Sequence, residues 1–304
     1  MVGNMYVNNL RDDGPLVSVI ITTHNRLDLL KKDIDSVRNQ SYKNFELIVV
    51  DDASIDGTKE YCEGQDFDYI YIPQEESKGG NHARNIGIKS AKGKYCAFLD
   101  DDDRWKESYL EKMVGLIEEK GCGMVYSGVT YEQYNGDDVQ YKDIVRGFDG
   151  DLSTIVLYSA FASTSCMMVN KELLNHIGMF DENLTAWQDY ELVLRIAQET
   201  SIYFVREPLI YYRIVANDRI CVSSNYSNWK QSYRYIYRKH KQLFHRLNDY
   251  ERLLQKKFVW THAMHKSSTS GKRFANSLYR RLLRRNTPVF IKKNSSDPFL
   301  MNCI

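Results

Sequence analysis

Short apolar runs alternate with longer segments of helical periodicity through the first 130 residues. The apolar runs are rich in β-branched residues, which is typical of strands buried on both faces. They predict strands at Leu16–Thr22, Phe45–Asp52, Asp68–Pro73, Lys94–Asp100 and Cys122–Tyr131. Between them, apolar residues at helical spacing predict helices at Arg26–Gln40, from near Asp56 through Tyr61, at Gly80–Lys92 and at Lys106–Gly121. This order predicts an α/β fold with a mostly parallel central sheet flanked by helices.

The pattern changes in the second half of the chain. Residues 132–180 are less regular and suggest a loop, a helix, a strand and a further helix. Helical periodicity returns at Thr185–Thr200, and Ile202–Ile214 reads as two short strands around Glu207-Pro208. From Tyr226 onward the pattern is helical, aromatic and basic. We therefore divide the chain into an N-terminal tail (1–15), an α/β domain (16–224, with halves 16–131 and 132–224) and a basic, amphipathic helical extension (225–304).

The charge of the chain is unevenly distributed. Hydrophobic residues make up 43% of the 304, which is enough for a sizeable core, and the formal net charge is only +1. However, residues 225–304 hold 18 Lys and Arg against 3 Asp and Glu, whereas residues 1–224 hold 23 against 37. An acidic body thus carries a strongly basic tail, and this asymmetry suggests two separate tasks.

The cysteines and the apolar segments indicate an intracellular protein. None of the six cysteines forms a CxxC pair, and residues Met1–Pro15 are polar, unlike a signal peptide. No apolar run approaches the roughly 20 residues that span a bilayer. We expect reduced thiols and a cytoplasmic location.

Polar clusters follow three of the predicted strands. They are Thr22-Thr23-His24-Asn25, Asp51-Asp52 and the four consecutive aspartates Asp100 to Asp103. In open parallel sheets, ligands bind outside the carboxyl ends of the strands. The three clusters are therefore expected to meet at one edge of the sheet and to form a site.

The four aspartates raise a question of charge, because adjacent carboxylates repel one another. Asp100 and Asp102 are two residues apart, and at a strand end such residues face the same way. This pair suits a hard divalent cation, Mg²⁺ or Mn²⁺. The alternative is a solvated acidic turn in which an aspartate caps the next helix. Asp101 and Asp103 are expected to face solvent or to cap that helix.

The second cluster favours a nucleotide. Asp52 ends a strand, where a carboxylate commonly accepts hydrogen bonds from ribose hydroxyls or a base N–H. The neighbouring Ser54 and Asp56 are explained equally well as turn and helix-capping residues. There is no GxGxxG after the first strand and no GxxxxGK[ST], which disfavours a dinucleotide site and excludes a P-loop.

Five segments in order resemble the family 2 glycosyltransferases, which have the GT-A fold. They are VSVIITTHNR, FELIVVDDASIDGT, GGNHARNIGI, YCAFLDDDDRW and WQDYEL, and the resemblance runs from about Val17 to Arg213. It implies a nucleotide-sugar donor with a UDP-sugar as first choice, a divalent metal, an inverting mechanism and a cytosolic active site. It also implies a nucleotide-binding half at 16–131 and an acceptor-binding half at 132–224. The acceptor would be a hydroxyl of a saccharide or lipid-linked saccharide in polysaccharide biosynthesis, such as capsule or lipopolysaccharide.

The resemblance assigns roles to individual residues. It implies that the nucleotide is contacted by Thr22, His24, Asn25, Asp52, Arg84, Asp100 and Asp101, with Asn85 beside Arg84. It implies that Asp102 binds the metal directly and that Asp100 assists. It implies that Asp189 is the catalytic base.

Three nearby residues are weaker candidates for contacts to the acceptor or sugar. Gln188 stands where the family usually has Glu, so its side chain can orient a hydroxyl but brings no charge. Trp187 can stack on a sugar ring or serve in packing. Arg213 can reach a phosphate or pair with an acidic surface.

Two other functions stay open from the residues. A nucleotidyltransferase also uses a parallel sheet and paired aspartates, but it normally has a glycine-rich loop where this chain has TTHNRLD. A non-catalytic nucleotide-sugar binding or scaffold protein would keep the donor site and tolerate the loss of Asp189.

The basic tail has four interpretations. Its aromatic and aliphatic residues alternate with Lys and Arg at helical spacing, which favours a helix lying on an anionic membrane. That would make the protein peripheral at the inner face of the cell membrane. Alternatively, the apolar stripe packs on the catalytic body or mediates homo-oligomerisation. Nucleic acid binding is the least favoured interpretation.

Overall fold

The computed structural model describes residues 14–64, 69–136, 138–215 and 226–266. The strands are β1 (Val17–Thr23), β2 (Phe45–Asp51), β3 (Ile70–Pro73), β4 (Tyr95–Asp100), β5 (Arg104–Trp105), β6 (Met124–Asn135), β7 (Asp138–Ile144), β8 (Met167–Asn170) and β9 (Ile202–Val215). The helices are α1 (Leu27–Arg38), α2 (Thr58–Glu63), α3 (Gly80–Ser90), α4 (Tyr109–Lys120), α5 (Lys171–Ile177), α6 (Gln188–Glu199), α7 (Tyr226–Lys239), α8 (Lys241–His245) and α9 (Asp249–Lys266). Two 3₁₀ turns lie at Ile155–Tyr158 and Thr164–Cys166.

The described strands form one sheet in the order β3-β2-β1-β4-β8-β6-β9-β5, with β7 paired to β6. The first four strands in this order are parallel to one another, as the alternation of strands and helices predicts. β1 lies between β2 and β4, and all seven of its residues are buried. Its uninterrupted apolar sequence therefore reflects burial on both faces.

The second half of the sheet is mixed rather than parallel. β8 runs antiparallel to both β4 and β6, whereas β6 and β9 are parallel. The β6–β7 hairpin was not expected from the sequence, because most residues of β7 are exposed and polar. Residues 202–214 belong to one strand rather than two. The pairing of β9 with β6 shifts register opposite Gly128, where Pro208 has no N–H to donate.

Apolar side chains fill both faces of the sheet. On one face, α1 and α4 cover residues such as Val19, Val49 and Leu99. On the other face, residues such as Ile20, Ile48 and Phe98 pack against side chains of α3 and α6. Val19 and Ile20 face opposite sides of the sheet, as do Ile48 and Val49, because successive side chains of a strand alternate between its two faces.

The first part of the basic tail packs on the body. Trp229, Ile236, Phe244 and Phe258 are buried, and α9 contacts the 3₁₀ turn Ile155–Tyr158. The packing interpretation thus holds for residues 226–262, while the tail beyond residue 266 lies outside the described residues. Within the described parts of the chain, no helix is both long and apolar enough to span a membrane.

Candidate active site

The polar clusters meet at the carboxyl edge of the parallel strands, as the sequence predicts. Thr22 of β1 pairs with Val50 of β2 on one side and with Asp100 of β4 on the other. The register therefore aligns the ends of three neighbouring strands. The loops that follow these strands form the floor of the candidate site.

The loop after β1 is held in a specific conformation. Asn25 has a positive φ of 54°, which asparagine tolerates better than most residues. Its N–H donates to Ser54 Oγ at 2.8 Å, and its Oδ1 accepts the N–H of Ile55 at 2.8 Å. His24 Nδ1 donates to the main-chain carbonyl of Asp52 at 2.6 Å, which leaves Nε2 to accept from the Asn25 side chain at 2.9 Å. His24 and Asn25 thus join the first strand end to the second.

Asp52 holds a neighbouring loop. Its carboxylate is buried and accepts the hydroxyl of Ser77 at 2.7 Å and the backbone N–H groups of Lys78 and Gly79 at 2.8 and 2.9 Å. Gly79, which has a φ of 90°, is the last residue before α3. A carboxylate assigned to a nucleotide from the sequence therefore also fixes the start of the helix that carries Arg84.

The turn after β4 gathers the four aspartates. Asp101 and Asp103 do not face solvent or cap the next helix, contrary to the expectation, because both side chains are buried. Asp101 accepts from Arg26 at 2.9 Å, and Asp103 accepts the main-chain N–H of Arg213 at 3.3 Å. Burial raises the pKa of both carboxyls, and the charge of Asp102 raises that of Asp103 further.

Asp102 is the most accessible of the paired carboxylates in this turn, with 43% of its side chain exposed. Arg26 Nη1 lies 3.1 Å from its Oδ2. Burial and the negative charges of Asp100 and Asp101 nevertheless raise its pKa to about 6. One guanidinium therefore does not neutralise the turn, and a further cation would be favourable there.

Asp100 has a different partner. Its carboxylate is paired with the guanidinium of Arg84 on α3. Arg84 also lies over the ring of Phe180, and its buried Nε has no hydrogen-bond partner among the described residues. Asn85, the next residue, exchanges hydrogen bonds of 2.9 Å with the main chain of Phe180. Asp100 and Arg84 lie within the site, whereas the side chain of Asn85 supports the adjoining segment.

The acidic turn fits a divalent cation that is completed by another ligand. Among the described residues, no group of three or more His, Cys, Asp or Glu side chains is arranged to hold a metal alone. Asp102 and Asp100 supply hard oxygen donors, and the four carboxyls of the turn outnumber the two guanidiniums paired with them. Mg²⁺ is commonly held by one or two carboxylates together with substrate phosphates and water. The donor set suits that kind of shared site.

Asp189 comes from the second half of the domain, at 132–224. It lies in the first turn of α6, is partly buried, and accepts the N–H of Tyr190 at 2.7 Å. Burial raises its pKa, the charge of Asp100 adds to that rise, and Arg84 opposes it. The structure therefore brings Asp189 into electrostatic contact with the acidic turn. Gln188 is the first residue of α6.

Trp187 and Arg213 have packing contacts. Trp187 has a φ of 65°, a conformation that costs roughly 1–3 kcal/mol in a bulky residue. Its ring packs against Trp229 and Phe258 of the tail, with ring centroids 5.7 and 5.6 Å apart. The guanidinium of Arg213 lies over the ring of Tyr134 at 5.2 Å.

Two residues of the site were not expected from the sequence. Arg26 pairs with the acidic turn from 75 positions away along the chain. Tyr212 is partly buried in β9, and the charges of the carboxylates around it, together with burial, raise the pKa of its hydroxyl. Those carboxylates are Asp103, Asp102, Asp100 and Asp189. Arg26 could have been found as the basic residue of the strand-end segment THNR. Nothing in the sequence distinguishes Tyr212 from the other tyrosines among the 22 in the chain.

Relatives with similar sequences are named as glycosyltransferases. The chain is 30% identical over 237 residues to TuaG of Bacillus subtilis (strain 168), which is named for teichuronic acid biosynthesis, and the match covers 75% of the chain and 90% of TuaG. It is 28% identical to the glycosyltransferase GlyG of Streptococcus pneumoniae serotype 4, over 65% of the chain and 70% of GlyG. A Rickettsia prowazekii glycosyltransferase is 32% identical, and 65% of its length is covered.

Solved structures share the fold. S. aureus TarS 1-349 in complex with UDP-GlcNAc superimposes with a TM-score of 0.65 at 18% identity, over 91% of this chain and 77% of that one. The mannosyltransferase PcManGT from Pyrobaculum calidifontis, in complex with GDP-Man and Mn²⁺, gives a TM-score of 0.56 at 18% identity, over 89% and 83%. The expected GT-A fold is therefore confirmed.

The family model for glycosyl transferase family 2 matches residues 18–178, which is more than half of the chain. This match includes the three strand ends and the acidic turn. The resemblance seen in the sequence is confirmed, and the protein is a transferase enzyme: the chain belongs to glycosyl transferase family 2.

Proposed function

We propose that this enzyme transfers a sugar, with inversion, from a nucleotide-sugar to a hydroxyl of a saccharide or lipid-linked saccharide in polysaccharide biosynthesis. One observation carries the proposal. The acidic turn after β4 comes from the half at 16–131 and Asp189, in the first turn of α6, from the half at 132–224, and the negative charge of Asp100 raises the pKa of Asp189. A base and a site for a charged leaving group therefore share one edge.

Asp189 is the proposed general base. An acceptor hydroxyl is a poor nucleophile until its proton is removed. In a single displacement, the acceptor oxygen forms a bond to the anomeric carbon, and the bond from that carbon to the diphosphate oxygen breaks. The proton passes to Asp189, and the nucleoside diphosphate leaves. A raised pKa makes this carboxylate a better proton acceptor than a fully solvated one.

The site must stabilise the negative charge of the leaving diphosphate. Arg26 and Arg84 supply two guanidiniums beside the acidic turn. Mn²⁺ or Mg²⁺ held by Asp102 and Asp100 would, when bound, supply positive charge to the diphosphate. Arg26 and Arg84 set the orientation of these carboxylates and limit their mutual repulsion.

The nucleotide is proposed to bind at the ends of β1 and β2. Thr22, His24, Asn25 and Asp52 belong to loops that are tied together by the hydrogen bonds described above. We expect a UDP-sugar as the donor, because TarS, which shares the fold, has been crystallised with UDP-GlcNAc. PcManGT was crystallised with GDP-Man, so a guanine nucleotide is the alternative to test.

The acceptor is proposed to bind in the half at 132–224, beside Asp189 and Gln188 at the start of α6, with Tyr212 and Arg213 of β9 as further candidates for contacts. TuaG, at 30% identity, is named for teichuronic acid biosynthesis. This supports a role in polysaccharide biosynthesis for this enzyme.

The tail supplies a surface for an anionic membrane. Its residues 226–248 contain no Asp or Glu, and apart from Lys239, which is ion-paired, five of their Lys and Arg residues are exposed: Lys230, Arg234, Arg238, Lys241 and Arg246. Exposed Tyr226 and Tyr237 lie on the same segment. Basic and aromatic side chains together favour binding at an anionic interface. We therefore expect a cytoplasmic enzyme bound peripherally at the inner face of the membrane.

Calorimetry tests the donor site. UDP and GDP are titrated into wild type and Asp102→Asn, each with and without Mn²⁺, and Asp28→Asn, altered at an exposed aspartate, is the control. We expect one nucleotide to bind wild type and the control more tightly with Mn²⁺, and Asp102→Asn to lose that gain. The proposal is contradicted if no nucleotide binds wild type in either condition.

A further inference from the structure

The segment that carries Asp189 is anchored at both ends by the tail. Residues 181–191, here called the base segment, begin at Asp181 and include the first turn of α6. Lys239, the last residue of α7, is ion-paired with Asp181 and lies 2.9 Å from Glu191. One ammonium group thus bridges the two ends of the base segment.

The last residue of the base segment, Glu191, lies in a buried cluster of charged side chains. Glu191 is fully buried, two residues after Asp189. It accepts from Arg195 at 2.7 Å, from Lys239 and from His240 Nε2 at 2.9 Å. A carboxylate removed from water needs charged and polar partners to offset its lost hydration. Two of the three partners belong to the tail.

The first residue of the base segment, Asp181, is contacted from two sides. Asp181 accepts from Lys239 and, at 3.0 Å, from Tyr235 Oη of the same helix. On the opposite side, Asn81 Nδ2 on α3 donates to the main-chain carbonyls of Asp181 and Leu184, both at 2.9 Å. Helix α3 also carries Arg84, which pairs with Asp100. The base segment therefore lies between the tail and the helix that supports the donor half.

The middle of the segment includes the strained residue. Trp187 adopts its positive φ two positions before Asp189, and tail aromatics cover its ring. A bulky residue keeps a positive φ only when the surrounding structure holds it in that conformation. The tail supplies those surroundings through Trp229, Tyr233 and Phe258.

We propose that helix α7 positions the catalytic base: Lys239 and His240 hold the base segment so that Asp189 faces the donor site. This inference rests on the proposed role of Asp189. Lys239 and His240 are positioning residues, since their contacts are to Glu191 and Asp181 rather than to the site itself. The tail is thus part of the catalytic unit and not only a surface for docking.

The test compares two double variants of the full chain. Lys239→Met with His240→Leu removes the two polar links from the tail to Glu191 and leaves that of Arg195, whereas Lys239→Arg with His240→Gln keeps a donor at each position. Lys256→Met, an exposed lysine of α9 outside the surface proposed for the membrane, is the matched control. Because misplacing a reacting group by about 1 Å costs up to about 100-fold in rate, we expect the apolar pair to lower kcat by about tenfold to 100-fold. The donor KM and UDP affinity should stay within about twofold, and the polar pair should recover most of the rate.

Hydrogen exchange provides a readout that does not depend on turnover. Amides of the first turn of α6 should exchange faster in the apolar pair, while those of β1 and β4 are unchanged. If the apolar pair does not fold, Lys239→Met alone is used, since Arg195 and His240 still pair with Glu191. A wild-type kcat in the apolar pair, or unchanged exchange in α6, overturns the inference. If Asp189→Asn turns over as fast as wild type, the proposed function fails instead, and exchange alone decides the role of the tail.

Discussion

Arg26 Nη1 lies 2.9 Å from Asp101 Oδ1 and 3.1 Å from Asp102 Oδ2, so one guanidinium spans two adjacent carboxylates of the acidic turn. It occupies the electrostatic position that a divalent cation would also favour. The two cations are therefore expected to compete for the same negative charge.

This competition gives a prediction for Arg26→Gln. Without the guanidinium, the turn has more uncompensated charge, so Mn²⁺ alone should raise the melting temperature of the variant more than that of wild type. Thermal denaturation over a series of Mn²⁺ concentrations measures the difference. Lys31→Gln, which removes an exposed cation of α1, is the control. Equal Mn²⁺ responses in wild type and Arg26→Gln would argue against a cation at Asp102.

Asp52 is expected to matter for stability as well as for the nucleotide. Replacing it with Ala leaves the N–H groups of Lys78 and Gly79 and the hydroxyl of Ser77 without their acceptor. We predict a loss of about 1–3 kcal/mol in the free energy of unfolding, measured by urea denaturation. Asp52→Asn keeps one acceptor oxygen and should lose less. Two variants as stable as wild type would show that the loop does not depend on this carboxylate.

Asp33 on α1 is a buried carboxyl whose Oδ2 has no hydrogen-bond partner in the described structure. Burial raises its pKa well above the ordinary value, and Asp101, Asp103 and Asp102 raise it further. Because the folded state then holds the proton more tightly than the unfolded state, this group makes the protein less stable as the pH rises above 4. Asp33→Asn removes that loss and should be more stable than wild type at pH 8.

The matched control for Asp33 is Asp35→Asn, on the same helix with 65% of its side chain exposed. It should change stability little at any pH. Urea denaturation at pH 5 and pH 8 measures both variants. The interpretation fails if Asp33→Asn is destabilising at pH 8.

The charge cluster at Glu191 predicts sensitivity to acid. Its hydrogen bonds to His240 and Arg195 outweigh the effect of burial and lower its pKa from 4.5 to about 2. The stabilisation is therefore complete above pH 4.5 and is lost as the pH falls toward 2. Ionised Glu191 therefore contributes on the order of 3 kcal/mol to the free energy of unfolding.

Glu191→Gln tests that contribution. We expect the variant to be about 3–5 kcal/mol less stable than wild type at neutral pH, because a partner of buried cations is removed. The difference should shrink as the pH is lowered from 5 to 2.5. Thermal unfolding followed by circular dichroism measures it. A difference that is constant over this pH range would exclude ionised Glu191 as its source.

The fold of the donor half could be predicted because its strands carry long apolar runs that end in polar clusters. The same periodicity placed α6 within three residues of its observed start at Gln188. Other features depend on contacts between distant residues. The pairing of Arg26 with Asp101, the burial of Asp103 and the packing of Trp187 on the tail have no local signature. β7 was missed because an exposed hairpin strand lacks a buried face to impose alternation.

The most direct test of the account is the rate at which UDP is released from the UDP-sugar that binds, measured for wild type and Asp189→Asn. Loss of a general base typically costs about 10²- to 10⁴-fold in rate. We predict a loss of at least about 100-fold in kcat, with nucleotide affinity unchanged and with Asp28→Asn as active as wild type. An Asp189→Asn enzyme that releases UDP at the wild-type rate would contradict the assignment of the base, and with it the proposed mechanism.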